Sequence, residues 1–151
     1  MDKIYLKSIL GPIKIEGKNE KITKVSFINE YIEINESPEY LKECKKQLEE
    51  YFLGKRKEFE VELELSGTDF QIKVWKELLK IPYGKTITYK ELAKKVENPK
   101  GYRAVGNANN KNKIAIIIPC HRVILSNGGL GGYEGGIEKK SYLIDFEKSI
   151  D

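Results

Sequence analysis

The periodicity of this chain changes at Ser66-Gly67, and that change commits it to a fold in two parts. Before it, apolar and polar residues alternate, as half-buried strands require. Ile4, Leu6 and Ser8, then Ile13 and Ile15, then Ile22, Val25 and Phe27, then Ile32 and Ile34 predict short antiparallel strands. Gly11-Pro12 and Gly17-Lys18-Asn19 are the expected turns between them. Ser37-Pro38 opens a helix striped by Leu41, Cys44, Leu48, Tyr51 and Phe52 and stopped at Gly54. Phe59, Val61, Leu63 and Leu65 alternate with glutamates and predict a further strand.

After the change the pattern is helical. Thr68 to Gln71 is a capping box, and the helix it opens carries Phe70, Val74, Trp75, Leu78 and Ile81 before Pro82-Tyr83-Gly84. Thr88 to Glu91 is a second capping box, opening a short helix with Leu92, Ala93 and Val96 inward. Asn98-Pro99-Lys100-Gly101 breaks that helix, and Tyr102 to Asn109 is a third candidate. Two short helices joined by such a break outline a helix-turn-helix. In the third, Gly101, Ala104, Gly106 and Ala108 leave one side bare, with Arg103 its only large cation. Glycine disfavours helix, so this is either a surface for close approach of another backbone or a loop packed on the core.

The apolar run Ile114–Ile118 predicts a buried strand that ends at Pro119 and hands over to Cys120-His121-Arg122. Thiolate is the reactive form of cysteine, and a neighbouring imidazole with an adjacent arginine favours it. A lone buried cysteine is also an ordinary small hydrophobe, and Cys44 on its helical stripe reads that way. Ser126–Gly136 holds six glycines in eleven residues but no Gly-Lys-Ser/Thr, so it walls a pocket rather than cradling a triphosphate. A last helix from about Ile137 has Tyr142, Leu143, Phe146 and Ile150 on one side. Glu147 beside that stripe reads, alone, as a solvated glutamate.

Composition narrows the class. With 151 residues, 40% of them hydrophobic, the chain fills one domain or two small ones. Net charge is +4, which permits a polyanionic partner without implying one. Two cysteines and one histidine cannot complete a four-ligand zinc site without carboxylates. Free thiols fit a reducing cytosol, and the sequence has neither a transmembrane-length apolar run nor a signal-peptide core. The expectation is a cytoplasmic protein that is not bound to membranes.

Taken in order, Ile81-Pro-Tyr-Gly84, Thr88-Tyr89, Arg103-Ala-Val-Gly106, Pro119-Cys-His-Arg-Val-Ile124 and Gly-Gly-Tyr133 resemble the O6-alkylguanine-DNA alkyltransferases, also called methylated-DNA–protein-cysteine methyltransferases. The resemblance is dense over residues 68–148 and holds in outline over the N-terminal part. It implies an α/β chain of the α+β type. Residues 1–66 would form a ribonuclease-H-like sheet-and-helix subdomain, and residues 67–151 a mostly helical subdomain for DNA binding and catalysis. Cys120 would accept an alkyl group from O6 of guanine in double-stranded DNA, irreversibly and once. His121 would take the thiol proton through a water, Glu147 would orient the imidazole, and Asn112 would brace the turn. Tyr89 would meet N3 of the base, the Val123 carbonyl its exocyclic amine, and Tyr133 would line the pocket.

The attacked atom lies inside the duplex, so the base must be flipped out. The resemblance implies that Arg103 fills the vacated space. The helix carrying Tyr102, Ala104, Gly106 and Asn107 would enter the minor groove, with little sequence specificity. Glu134 departs from the family, standing where many relatives have a serine able to donate to O6. The N-terminal zinc ligands of some relatives are absent, so no metal and no cofactor are expected, and the protein is expected to be a monomer. Two other readings stay open: a non-catalytic damage-sensing DNA-binding protein, and a Cys-His-Glu hydrolase of small acyl substrates.

Overall fold

The structure, a computed structural model, describes residues 1–150. It divides into two compact units, each described by itself. The first comprises Met1–Ser66 with Lys113–Ala115; the second comprises Gly67–Asn112 with the chain from Ile116 onward. The tripeptide Lys113–Ala115 thus belongs with the N-terminal residues, which a single cut after Ser66 does not capture.

The first unit is built on an antiparallel meander of β1 (Asp2–Ser8), β2 (Gly11–Lys18) and β3 (Lys21–Phe27). Its register sets Ile4 opposite Ile15, Leu6 opposite Ile13, and Ile15 opposite Val25, so these alternating residues share one buried face. The expected turns shift by a few residues. Gly11-Pro12 starts β2, and the second turn is Asn19-Glu20, both with positive φ, as a two-residue hairpin loop requires. Gly17 lies within β2 at an irregularity of the ladder, where a Cβ would stand 2.5 Å from the Tyr40 ring.

Three expected strands do not form. Ile32–Ile34 is irregular, and Ile32 is exposed. The Phe59–Leu65 alternation makes one parallel bridge, Ile22 to Leu63, and the Ile114–Ile118 run makes one, Val25 to Ile114. The cause is shared: Glu62–Glu64 takes the outer edge of β3 at Ile22, and Lys113–Ala115 takes it at Val25. Neither segment has edge enough to propagate a ladder. Beyond Ala115 the apolar run turns, with Ile116 at φ 71. Helix α1 (Glu39–Phe52) buries Leu41, Cys44, Gln47, Leu48 and Tyr51.

The second unit holds α2 (Asp69–Leu78), β4 (Ile87–Thr88), α3 (Tyr89–Lys95), α4 (Tyr102–Asn110), β5 (Val123–Ile124) and α5 (Ile137–Ile150). Both capping boxes are made: Thr68 with Gln71 starts α2, and Thr88 with Glu91 starts α3. The Trp75 indole donates to the Ala108 carbonyl at 2.8 Å, tying α2 to α4. Parallel pairing of β4 with β5 ties the start of α3 to the residues just after Cys120-His121-Arg122. The face that α5 buries corrects the expected stripe. It is Lys140, Leu143, Ile144 and Glu147, spaced as one helical face, while Ile150 is exposed and Tyr142 and Phe146 are half-buried. A charge at each end of a buried stripe needs partners, and those partners form the site.

Candidate active site

Cys120 opens one turn of 3-10 helix, Cys120–Arg122. Pro119 before it, at φ -81 and ψ 62, makes an inverse γ-turn in which the Cys120 amide donates to the Ile118 carbonyl at 2.8 Å. Two asparagines brace this bend. Asn112 Nδ2 donates to the Ile118 carbonyl at 2.8 Å, and Asn109 Nδ2 to the Cys120 carbonyl at 3.3 Å. The thiol therefore sits on a turn held from both sides, only 6% exposed.

His121 is fully buried, and its Nε2 lies 2.6 Å from Glu147 Oε2. Its Nδ1 has no hydrogen-bond partner among the described residues. Glu147 is surrounded by donors. Arg122 Nε reaches Oε1 at 2.8 Å, Arg122 Nη2 reaches Oε2 at 3.1 Å, and the Gly84 amide reaches Oε1 at 3.2 Å. Arg122 Nη1 donates to the Ile81 carbonyl at 2.7 Å, and its guanidinium stands over the Tyr83 ring. The solvated-glutamate reading of Glu147 is thereby overturned.

Electrostatics follow from burial and these contacts. Burial pushes the Cys120 thiol up to about 11, against a hydrogen bond from Asn112 and the Lys140 charge, both of which lower it. The resting site thus disfavours the thiolate expected from the Cys-His-Arg triplet. Arg122 turns to Glu147 instead of the sulfur, and desolvation prevails. Burial lowers the His121 pKa as well, outweighing the opposite pull of Glu147. For Glu147 burial would raise the carboxyl, yet its bonds and charge pairing with His121 and Arg122 hold it well below the usual carboxylate range.

Lys140 is a site residue that the sequence reading missed. It is 0% exposed, and burial lowers its pKa to about 8. Its Nζ lies 3.4 Å from the Tyr89 hydroxyl and 3.2 Å from the Gly132 carbonyl. Asn109 was also missed, although it braces the Cys120 carbonyl and its side chain acts to lower the Tyr89 pKa. No sequence signal marked either residue, because a lysine on a helix and an asparagine at a helix end are ordinarily exposed.

Tyr89, first residue of α3, is buried where its capping box starts the helix. Val123 is buried and Tyr133 half-buried, while Glu134 is exposed. The Glu134 charge is the least of the causes acting on the Cys120 thiol, and it pushes the thiol further up. On α4, Tyr102, Arg103, Ala104 and Asn107 form an exposed face, and Gly106 is half-buried. A Cβ at Gly106 would meet the Tyr89 ring at 3.8 Å. Cys120, His121, Glu147, Asn112 and Tyr89 are thus brought together, whereas Tyr102, Arg103, Ala104 and Asn107 lie at the surface. No helix among the described residues is long and apolar enough to cross a membrane.

A buried cysteine followed by a histidine that is hydrogen-bonded to a glutamate, on a mostly helical unit, is an arrangement able to carry thiol chemistry. Comparison with known proteins gives the family. Residues 69–149 match the 6-O-methylguanine DNA methyltransferase DNA binding domain, and residues 1–65 match the ribonuclease-like domain of the same family. The methylated-DNA–protein-cysteine methyltransferase of Methanosarcina acetivorans is 48% identical over 148 residues, covering 94% of this chain and 95% of the relative. The protein of that name from Mycobacterium bovis is 45% identical over 147 residues, covering 94% and 89%. A crystal structure of Mycobacterium tuberculosis OGT in complex with DNA superposes with a TM-score of 0.91 at 43% identity, covering 99% of this chain and 94% of that one. The chain belongs to the O6-methylguanine-DNA methyltransferase family.

Proposed function

We propose that Cys120 is the alkyl acceptor of this protein, with His121 and Glu147 as its proton relay. By family the chain is a methylated-DNA–protein-cysteine methyltransferase. It is a DNA-repair protein that moves an alkyl group from O6 of guanine to a cysteine of its own, once per molecule. The observation that carries the residue assignment is the buried, unpartnered His121 Nδ1, on a ring fixed from its other side by Glu147. That nitrogen is the one free to take a proton.

The thiol proton passes through a water to His121 Nδ1, and the sulfur attacks the alkyl carbon in line. The S–C bond forms as the C–O6 bond breaks. The electron pair stays on the purine, which takes up a proton from solvent, and His121 gives the thiol proton back to solvent. The Tyr89 hydroxyl meets N3 and supports that charge. Burial pushes the thiol pKa up in the DNA-free protein, against the Asn112 hydrogen bond and the Lys140 charge, so the relay has to draw the proton off. Asn112 braces the turn, and Val123, Tyr133 and Glu134 line the base pocket.

Helices α3 and α4 act as a helix-turn-helix. The exposed α4 face of Tyr102, Arg103, Ala104 and Asn107, with Gly106 set between α4 and the Tyr89 ring, enters the minor groove, and Arg103 holds the place of the flipped base. Backbone contacts dominate such binding, so sequence specificity is low and salt sensitivity high. The protein works as a cytoplasmic monomer, a setting in which Cys44 and Cys120 both stay free.

Incubation with a duplex carrying one O6-methylguanine, followed by intact and peptide mass spectrometry, tests this. One methyl on the Cys120 peptide, saturating at one per protein and absent in Cys120→Ala, is expected. Tight binding without a mass gain would sink the acceptor reading and favour a damage sensor.

A further inference from the structure

One buried acceptor beside the reactive turn has no use in the chemistry proposed above. Asn109, near the C-terminal end of α4, is only 1% exposed. Its Nδ2 donates to the Cys120 carbonyl at 3.3 Å, whereas its Oδ1 has no hydrogen-bond partner among the described residues. That contact fixes which way the amide faces: a carbonyl only accepts, so the nitrogen must meet it and the oxygen must point elsewhere. Val105 and Ala108 are buried beside it, and the Trp75 indole holds the Ala108 carbonyl at 2.8 Å, so α4 keeps the side chain in place. We infer that Asn109 is a specificity-determining residue whose Oδ1 accepts a hydrogen bond from the exocyclic amine of the flipped guanine. This inference rests on the alkyl-acceptor reading given above.

Position and chemistry both select the amine. Asn109 bonds the backbone of the acceptor residue and acts on Tyr89, the residue placed at N3 of the base. On guanine the exocyclic amine is the neighbour of N3 and the donor of that edge. It carries two hydrogens. With one given to the Val123 carbonyl, the other needs an acceptor, and Asn109 Oδ1 is one without a partner. A buried amide oxygen left unbonded is costly to the resting protein. A donor that arrives with the ligand offsets that cost. Guanine brings such a donor, and a base without the amine does not.

The neighbouring polar groups do not serve in its place. Asn112 Nδ2 is spent on the Ile118 carbonyl. Lys140 reaches the Tyr89 hydroxyl and the Gly132 carbonyl, and an ammonium has no lone pair to offer an amine. His121 Nδ1 is the nitrogen assigned to the relay, and Glu134 is exposed. Helix α4 then works from both faces. Arg103 on its exposed face holds the place of the base, and Asn109 on its buried face tests which base has left the stack.

Single-turnover methyl transfer to the whole chain, from duplexes carrying either O6-methylguanine or O6-methylhypoxanthine, tests the inference. Hypoxanthine is guanine without the exocyclic amine. Removing the amine alters the leaving group as well as the contact, so the quantity to compare between proteins is the ratio of the two rates. In Asn109→Leu, which has no acceptor, the preference for O6-methylguanine is expected to fall on the order of tenfold from its wild-type value. Asn109→Asp keeps an acceptor but loses the donor to the Cys120 carbonyl, so both rates should drop while the ratio stays near wild type. A residue that only braced the turn would slow the two substrates equally. An unchanged ratio in folded Asn109→Leu would therefore overturn the inference, as would a ratio that collapses just as far in Asn109→Asp. If Asn109→Leu does not fold, the ratio in Asn109→Ala decides in its place. Transfer from O6-methylguanine to wild-type Cys120 is scored first. Its absence defeats the acceptor reading and the inference together, whereas transfer with an unmoved ratio defeats the Asn109 role alone.

Discussion

Gly131 shows how tightly single residues are set around the pocket. Its φ is +76, and a Cβ there would stand 2.8 Å from the Tyr89 hydroxyl oxygen and 2.9 Å from the ring. An alanine must therefore adopt a left-handed backbone, which costs about 1–2 kcal/mol, and must push Tyr89 aside. If Tyr89 supports the departing purine, Gly131→Ala should slow transfer on the order of tenfold or more, the rate equivalent of about 1.4 kcal/mol. The loss should be the same for O6-methylguanine duplex and for free O6-benzylguanine, since both need N3 supported. Unchanged single-turnover rates on both would remove Tyr89 from the mechanism. At this scale the sequence was legible where chemistry is adjacent in the chain, as in Cys120-His121. It was legible at Glu147 only through resemblance, because the residue's own pattern describes a surface helix. Lys140 was invisible for the same reason: burial of a lysine is decided by Tyr89 and Gly132, which lie far from it in sequence or belong to a glycine-rich loop.

Elements were legible in proportion to how locally they are determined. The capping boxes at Thr68 and Thr88 close through bonds spanning three residues, and both helices start where those boxes put them. The runs Phe59–Leu65 and Ile114–Ile118 have the residue content of strands, but a ladder also needs a free edge, and β3 divides its edge between them. No property of either run contains that information. Helix α4 is an intermediate case: its two glycine-flanked turns weaken it, and packing of Val105, Ala108 and Asn109 holds it. Its exposed Arg103 gives the element its own test. Arg103→Ala should slow repair of duplex far more than reaction with free O6-benzylguanine, in contrast to Gly131→Ala, which should slow both alike. Equal losses from Arg103→Ala on the two substrates would argue against a role in holding the flipped base.

For the whole molecule, the two buried thiols are among the groups that set behaviour in alkali, beside tyrosines whose pKa values are also raised. Burial pushes Cys44 up to about 12 and Cys120 up to about 11, so the folded protein keeps protons that the unfolded chain releases above about pH 9. More protons bound in the native state means stability falls as pH rises through that window. Lys140 opposes this trend. Its folded pKa of about 8 lies below the unfolded value of 10.5, so between those values the unfolded chain holds more protons and stability rises with pH. The net curve is therefore a contest, and a single wild-type profile would not separate the contributors. A difference between proteins does. Cys44 lies on the buried stripe of α1 and has no part in the proposed chemistry, so Cys44→Ala removes one thiol and leaves the opposing lysine and the second thiol in place. The truncation cost is independent of pH, whereas the titration term grows by about 1.4 kcal/mol for each pH unit above the unfolded thiol value. Urea unfolding of both proteins at about pH 8 and pH 10 should thus show wild type losing about 1 kcal/mol more than the variant. Equal losses would mean that Cys44 ionises as readily in the folded unit as in the open chain, and that the interior around α1 is wet.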